Sequence, residues 1–272
     1  MSNLVQRILT GIVGAVIVVG AVWIGGWPFA ALMTAIALAA QYELYGLLRA
    51  GGVQPMVGVG LLLGAVAVVA PLTEAAASLL TVGTLLILAA VLFRRRETPL
   101  LDAAGTLFGV IYPAALVGLI VALRLAEADW LAGDAAFWLT TALLVCVWGS
   151  DSFAYFAGRA FGRHKLFERV SPNKTWEGAL GGAVGAVALA AAAKLLVLDD
   201  VLTWPDVAFI GFACGVASQI GDLAESHFKR SVGVKDSASW LPGHGGLLDR
   251  IDAAMVAVPL VVVYFNLVKG LG

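Results

Sequence analysis

The sequence predicts an all-α fold, a polytopic integral membrane bundle of about nine transmembrane helices whose N-terminus is cytoplasmic. The 272 residues are 61% hydrophobic and only 13% charged, whereas soluble domains carry about 25% charged residues. Long stretches without charge recur along the chain, and most basic residues fall in alternate connecting segments. This composition leaves too little charge to cover a water-facing surface, which argues against a soluble enzyme, a nucleic-acid-binding protein or a disordered tail.

The uncharged stretches define the helices in chain order. A spanning helix needs about 20 mostly apolar residues. The long stretches without Asp, Glu, Lys or Arg are residues 8–42, 50–73, 75–93, 103–123, 135–150, 178–193, 207–221 and 253–268. The first is too long for one span and contains the turn signal Gly25-Gly26-Trp27-Pro28, so we interpret it as two helices, the second continuing through Glu43. The sequence therefore predicts nine spans.

Short uncharged stretches distinguish the C-terminal half. Its four stretches have only 15 or 16 residues, so a helix that crosses the bilayer there must carry charged residues at or near membrane depth. Such residues usually face a protein interior or a water-filled cavity and mark functional sites. We therefore divide the single membrane-embedded unit into N-terminal scaffold helices at residues 1–125 and C-terminal helices with catalytic cytoplasmic loops at residues 126–272.

The basic residues set the predicted orientation. With the N-terminus inside, 14 of the 17 Lys and Arg residues fall in inside segments, and only Arg124, Lys194 and Lys269 fall outside. This distribution obeys the positive-inside rule. It predicts a multi-pass protein of the cytoplasmic membrane with two polar cytoplasmic loops, at about residues 158–177 and 225–250, and an active site that faces the cytoplasm.

The second loop carries the residues most typical of chemistry. Helical spacing places Asp222, Glu225, Ser226 and Lys229 on one helix face, and glycines flank His244 where backbone N–H groups can approach an anion. Carboxylate oxygens without a Cys or His cluster suit Mg²⁺, and Lys or Arg side chains hold phosphates. These features indicate phosphoryl or nucleotidyl transfer; the alternative is a basic loop that only orients the protein.

A motif in this loop carries a specific resemblance. The run is Ser226-x-Phe228-Lys229-Arg230-x4-Lys235-Asp236-x-Ala238-x2-Leu241-Pro242-x-His244-Gly245-Gly246-x2-Asp249-Arg250-Ile251-Asp252. It resembles the signature of the phosphatidate cytidylyltransferases, the CDP-diacylglycerol synthases. The first loop is also similar to this family, in Gly149-Ser150-Asp151-Ser152-x-Ala154-Tyr155 and Ser171-Pro172-x-Lys174-Thr175-x-Glu177-Gly178. The N-terminal half resembles the family only in being a set of hydrophobic helices.

The resemblance implies a reaction of CTP with phosphatidate that yields CDP-diacylglycerol and pyrophosphate. It also implies a divalent metal, here Mg²⁺ with a second metal ion left open. The partners are then CTP, phosphatidate and the lipid bilayer, without nucleic acid. Two alternatives stay open: a CTP-dependent membrane enzyme that acts on an archaeal-type or polyprenol lipid, and a transporter that uses intramembrane Asp residues. Small-residue spans can pair within one chain or between two, so a homodimer is open as well.

The predicted site residues fall into three sets. The metal ligands are Asp222, Asp249 and Asp252, the last with an ion pair to Arg250 as its alternative. The catalytic set contains the basic residues expected to hold phosphate and one carboxylate inside a span; its members are Lys229, Arg230, Arg250, Lys174 and Asp151. The substrate-binding residues are Ser226, Lys235, His244, Gly245, Gly246, Ser171 and Asn173. A buried ion pair with Arg159 or Lys174 is the alternative for Asp151, and Glu43 is interpreted only as part of a polar cluster at a helix end.

Overall fold

The computed structural model describes residues 3–73, 75–238 and 245–271, and 78% of the structure is helical. The chain forms two compact units. The first contains Met1–Ala122 together with Phe228–Arg250, and the second contains Leu123–His227 together with Ile251–Gly272. Most of the signature loop therefore belongs to the same compact unit as the N-terminal helices. The prediction of a mainly helical membrane protein is confirmed at this level.

The first unit is helical throughout most of its described length. Its helices are α1 (Asn3–Ile24), α2 (Gly26–Ala50), α3 (Val57–Val69), α4 (Ala76–Leu92), α5 (Pro99–Gly109), most of α6 (Leu116–Leu125) and, in the signature loop, most of α11 (Leu248–Ile251). A 3-10 turn, Ala70–Leu72, extends α3, and a π-helical segment, Val110–Ala115, joins α5 to α6. Proline at position 113 lies in that segment, where a residue that cannot donate a backbone hydrogen bond is accommodated by the wider turn.

A buried tyrosine fixes the C-terminal half of α2. Tyr45 is fully buried, and its hydroxyl donates to the carbonyl oxygen of Thr106 at 2.8 Å while accepting from Gln41 Nε2 at 2.8 Å. A Cβ atom on Gly60 or Gly109 would collide with the tyrosine ring. The two glycines therefore let α3 and the end of α5 approach α2 closely, and the buried hydroxyl keeps its hydrogen bonds.

The second unit contains the longer helices and one small sheet. Its elements are α7 (Ala135–Phe161), β1 (Lys165–Phe167), β2 (Ser171–Thr175), α8 (Trp176–Val197), α9 (Trp204–Phe212), α10 (Ser218–Ser231, as far as residue 227) and α12 (Ala254–Val268), with a π-helical segment, Ala213–Ala217, between α9 and α10. The strands pair in antiparallel fashion with Lys165 opposite Thr175. The first polar loop thus forms a hairpin that the sequence does not predict, because strands of three and five residues are too short for an alternating pattern.

Small residues allow α7 and α8 to pack closely. A Cβ atom on Gly178 would lie 2.8 Å from the carbonyl oxygen of Ala154, and one on Gly182 would lie 3.0 Å from that of Ser150. Thr175 caps the start of α8, since its hydroxyl accepts a hydrogen bond from the Gly178 N–H at 3.1 Å. The cap joins β2 directly to α8 and so fixes the hairpin at the end of the helix pair.

Every predicted span overlaps a helix in the described part of the chain. Five helical stretches there are long and apolar enough to cross a membrane: Gly26–Ala50, Pro99–Leu125, Ala135–Phe161, Trp176–Val197 and Trp204–Ser231. Four further apolar helices are shorter, at Leu9–Ile24, Val57–Leu72, Ala77–Leu92 and Ala254–Val268. The structure therefore supports a multi-pass membrane protein, whereas the number of nine spans and their orientation stay predictions.

Candidate active site

An ion pair joins the two sides of the signature loop in the first unit. Lys229, near the end of α10, places its Nζ 2.6 Å from Oδ1 of Asp249, near the start of α11. The two side chains are only 10% and 4% exposed. A buried carboxylate and a buried ammonium each lose hydration, so their close contact offsets part of that cost. Residues 20 positions apart in the sequence are therefore held at one point.

Two backbone N–H groups also hold the Asp249 carboxylate. Its Oδ2 accepts from the Ser237 N–H at 3.1 Å and from the Gly246 N–H at 2.8 Å, and the Ser237 Oγ lies 3.1 Å from it. Gly245 has a positive φ of 74°, a conformation that L-residues with a side chain rarely adopt. We call Lys229, Ser237, Gly246 and Asp249 the Asp249 cluster. The Gly246 N–H thus faces a carboxylate of the protein itself.

Glu43 on α2 is the residue of this region that sequence reasoning missed. It is 3% exposed, and its carboxylate accepts from the N–H groups of Leu247 and Leu248, both at 2.9 Å, and from the Ser237 hydroxyl at 2.8 Å. The only signal in the sequence is an acidic residue close to the end of an apolar helix. That signal is weak, because helix ends near a membrane surface often carry charge.

Three further basic signature residues lie at the surface of the first unit. The side chains of Arg230, Lys235 and Arg250 are exposed, and Arg230 Nη1 donates to the carbonyl oxygen of Val234 at 2.8 Å. Three basic groups of the signature run are therefore accessible to solvent. His244 lies outside the described residues.

A second pair of opposite charges lies in the second unit. Lys174, on β2, places its Nζ 2.7 Å from Oδ2 of Asp222 on α10. The Ser226 hydroxyl, one helical turn further along α10, donates to Oδ1 of Asp222 at 3.3 Å. The paired side chains are 27% and 30% exposed, so this pair is open to solvent or to a ligand, unlike the pair of Lys229 and Asp249.

The remaining predicted residues occupy separate positions in the second unit. Ser171 and Asn173 lie on β2 beside Lys174, where Asn173 is exposed. Asp151 lies on α7 with an exposed side chain. Asp252 is buried, and its Oδ1 accepts a hydrogen bond from the Ala253 N–H at 2.7 Å.

The hairpin is held by a carboxylate at the start of α8. Glu177 accepts from the backbone N–H groups of Arg163 at 3.1 Å and His164 at 3.3 Å, and it also contacts the His164 ring nitrogen Nδ1 at 2.7 Å. These contacts tie the start of the hairpin to α8. Lys174 therefore extends from a braced element rather than from a free loop.

Comparison with known proteins identifies the family. Residues 5–268 match the model of the cytidylyltransferase family. The chain belongs to this family. A protein of Brucella abortus biovar 1 (strain 9-941) is 39% identical over 277 residues, which cover 97% of this chain and 94% of the relative. A Synechocystis protein is 32% identical over 292 residues and 94% of both chains, and a Haemophilus influenzae protein is 48% identical over 122 residues, 43% of this chain and 42% of the relative. Each is named phosphatidate cytidylyltransferase.

The predicted metal ligands of this cytidylyltransferase-family chain are carboxylates, and oxygen donors of this kind are the ones that magnesium prefers. Within residues 3–73, 75–238 and 245–271, no group of three or more His, Cys, Asp or Glu side chains is placed to hold a metal ion. Mg²⁺, however, commonly uses one or two carboxylates and completes its coordination with water and substrate phosphates. Asp222 and Asp249 each lie within 2.7 Å of a lysine ammonium, so a metal ion would share each carboxylate with that ammonium or displace it.

Proposed function

We propose that this protein is a phosphatidate cytidylyltransferase, which converts CTP and phosphatidate to CDP-diacylglycerol and pyrophosphate. The observation that carries the proposal is the signature run from Ser226 to Asp252, in which Lys229 and Asp249 meet at 2.6 Å. The names of relatives that are 32–39% identical over most of the chain support the same activity. Phospholipid biosynthesis is the process to which this product belongs.

The reaction is an exchange of one phosphoanhydride bond for another. An oxygen of the phosphatidate phosphate attacks the α-phosphorus of CTP, and the bond from that phosphorus to the oxygen bridging the β-phosphate breaks. Pyrophosphate leaves with the bonding electron pair. Because phosphatidate is already an anion, the attack needs no general base. The main task of the protein is therefore to align the two phosphates and to neutralise the negative charge that grows on the leaving group.

The basic residues around the two ion pairs perform this task. Lys229, Arg230, Arg250 and Lys174 hold the phosphate oxygens of the substrates. Lys229 and Lys174 are each oriented by a carboxylate, Asp249 and Asp222 respectively. An ammonium that is already oriented loses less conformational freedom when it binds a phosphate, which favours tight alignment.

Asp222, Asp249 and Asp252 are the residues that would hold Mg²⁺. When bound, the ion supplies Lewis-acid stabilisation of the phosphate oxygens during bond exchange. Ser226, Lys235, His244, Gly245, Gly246, Ser171 and Asn173 complete the proposed substrate contacts. Asp151, an exposed carboxylate on a candidate span, is proposed as a further polar group of the site.

The membrane arrangement accompanies this function. We infer a multi-pass protein of the cytoplasmic membrane with nine spans, a cytoplasmic N-terminus and both polar loops on the cytoplasmic side. CTP is water-soluble and phosphatidate is a membrane lipid, so the site must open to both phases. Loops at the inner ends of short spans meet this requirement, and the distribution of Lys and Arg supports the orientation.

The direct test uses purified protein in mixed micelles of detergent and phosphatidate. CTP labelled on the α-phosphate should transfer its label to a lipid product with release of one pyrophosphate per label, and transfer should require a divalent cation. Matched micelles with a polyprenyl phosphate or an archaeal-type ether lipid replace phosphatidate in parallel. Transfer only to one of these lipids would contradict the proposed acceptor, and no transfer to any lipid would contradict the enzyme class.

A further inference from the structure

Glu43 contacts the signature loop from a distant part of the sequence. Its three hydrogen-bond donors, Ser237, Leu247 and Leu248, lie 194 to 205 positions further along the chain. The carboxylate is 3% exposed, and burial of a carboxylate is costly unless donors replace its lost hydration. Three donors within 2.9 Å provide that replacement. The contact is therefore a strong constraint on both α2 and the loop.

The glycine of the loop makes room for this carboxylate. A Cβ atom on Gly246 would collide with Oε2 of Glu43 and with Oγ of Ser237. Gly246 is also the residue whose N–H donates to Asp249 at 2.8 Å. The residue that lies close against Glu43 is therefore also the one whose backbone N–H donates to Asp249.

A serine hydroxyl links the two carboxylates. Oγ of Ser237 lies 2.8 Å from Oε2 of Glu43 and 3.1 Å from Oδ2 of Asp249. Asp249 in turn contacts Lys229 at 2.6 Å. Displacement of Glu43 would thus disturb Ser237 and Gly246 first, then Asp249, and through Asp249 the ammonium of Lys229.

We propose that Glu43 is a positioning residue of the nucleotidyl-transfer site. It touches no substrate; it holds residues 246–248 and Ser237 so that Asp249 and Lys229 keep their geometry. This role rests on the proposed function, since the residues it positions are those assigned to phosphate and metal binding. It also gives the N-terminal helices a part in the reaction beyond that of a membrane scaffold.

The test compares two buried carboxylates of the first unit. Glu43→Gln keeps the size of the side chain but replaces one accepting oxygen by an NH₂ group that cannot accept. The matched control is Asp102→Asn, because Asp102 is also fully buried and accepts the Gln54 N–H at 2.7 Å, but it pairs with Arg94 and Arg96 rather than with the signature loop. A second control, Glu97→Gln, makes the same chemical change on an exposed side chain.

Two measurements are made on each purified variant. The first is kcat and KM for CTP with phosphatidate, per folded molecule; Glu43→Gln is expected to lower kcat by about ten- to a hundredfold, because small displacements of reacting groups have effects of this size, with KM changed less. The second is the rate of tryptic cleavage after Lys235 or Arg250, which should rise about tenfold by the same loss of constraint. Both controls should match the wild type in both measurements once the folded fraction is equal.

The two measurements together test the positioning role of Glu43. Wild-type kcat and wild-type cleavage in Glu43→Gln would overturn the positioning role. Equal losses in Glu43→Gln and Asp102→Asn would also overturn it, by showing a general effect of a buried carboxylate. If Glu43→Gln does not fold, Glu43→Asp and Ser237→Ala take its place, and both should show a smaller fall in kcat with faster cleavage. A different result would separate the two proposals. If the wild-type protein transfers no label to any lipid but Glu43→Gln is still cleaved faster than the wild type, the constraint by Glu43 is supported and the proposed function is refuted.

Discussion

At the scale of single residues, the two lysines of the site differ in how much solvent they meet. Lys229 is 10% exposed beside a 4% exposed aspartate, whereas Lys174 and its aspartate are 27% and 30% exposed. Removal of one partner from a buried pair leaves an uncompensated charge, while an exposed charge is rehydrated. The same substitution should therefore have different effects on stability at these positions.

Lys229→Ala is expected to lower both turnover and thermal stability. The loss of stability should be about 3–5 kcal/mol, typical of a broken buried pair, because Asp249 would stay buried without the ammonium that pairs with it. Arg250→Ala, at an exposed position, should lower turnover with an unchanged unfolding temperature. Turnover and unfolding temperature are measured in detergent, with the exposed Arg95→Ala as the control. Loss of membrane insertion with normal activity per folded molecule would show that these residues only set the orientation.

At the scale of secondary-structure elements, the contact between α7 and α8 positions the hairpin that carries Lys174. The contact is close because glycines of α8 face backbone carbonyl groups of α7. A methyl group has no room there, and backbone atoms cannot rotate away as a side chain can.

Gly178→Ala is therefore expected to destabilise the second unit. The new Cβ would lie 2.8 Å from the Ala154 carbonyl oxygen, and an overpacked contact of this kind costs about 1–3 kcal/mol. The matched control is Gly46→Ala, because position 46 lies within α2 with no described atom from beyond the neighbouring turns of that helix within 4 Å of the added Cβ and alanine favours a helix. Unfolding temperatures in detergent compare the two; equal temperatures would contradict close packing of α7 on α8.

At the scale of the whole molecule, membrane orientation decides whether CTP can reach the site. A reporter inserted at residues 94–98 or 160–170 should report a cytoplasmic position, and one fused after Gly272 should report the opposite side, because nine spans place the two ends on different faces. The basic residues of the loops favour this arrangement. An external position for residues 160–170 would exclude access of CTP to Lys174 and would contradict the enzymatic proposal.

Asp222 and Asp249 are predicted to share a divalent metal. Asp222 lies on α10 in the second compact unit, and Asp249 lies on α11 in the first. Asp222→Asn and Asp249→Asn should each abolish most activity, and additional Mg²⁺ should restore little, since the charge rather than the size is removed. The double variant should be scarcely worse than either single one, because both substitutions disable one unit. The measurement is the turnover of the two single variants and the double variant, each compared with the wild type. Losses that multiply in the double variant would contradict a shared metal.

The sequence by itself determined the helical, membrane-embedded class and the family. Apolar runs such as residues 103–123 form helices in a bilayer because every backbone polar group must be satisfied within the segment. The signature run identifies Lys229 and Asp249 as candidate site residues. It can be recognised from sequence because all its residues lie within one short stretch, 226–252. Helix positions and local motifs each depend on short stretches of sequence, so both can be predicted without a structure.

Only the tertiary structure decided which distant side chains form ion pairs and hydrogen bonds with one another. The pairing of Lys174 with Asp222 joins a short strand to a helix 48 positions away, and Glu43 meets Leu247 across 204 positions. No periodicity links residues so far apart; their contact depends on how helices pack and where loops return. The residues from Gly246 to Leu248 are the clearest case, since the Gly246 N–H donates to Asp249 and the next two N–H groups donate to Glu43. A buried carboxylate takes whichever donors the packed chain brings within reach, and that choice is made by the fold as a whole.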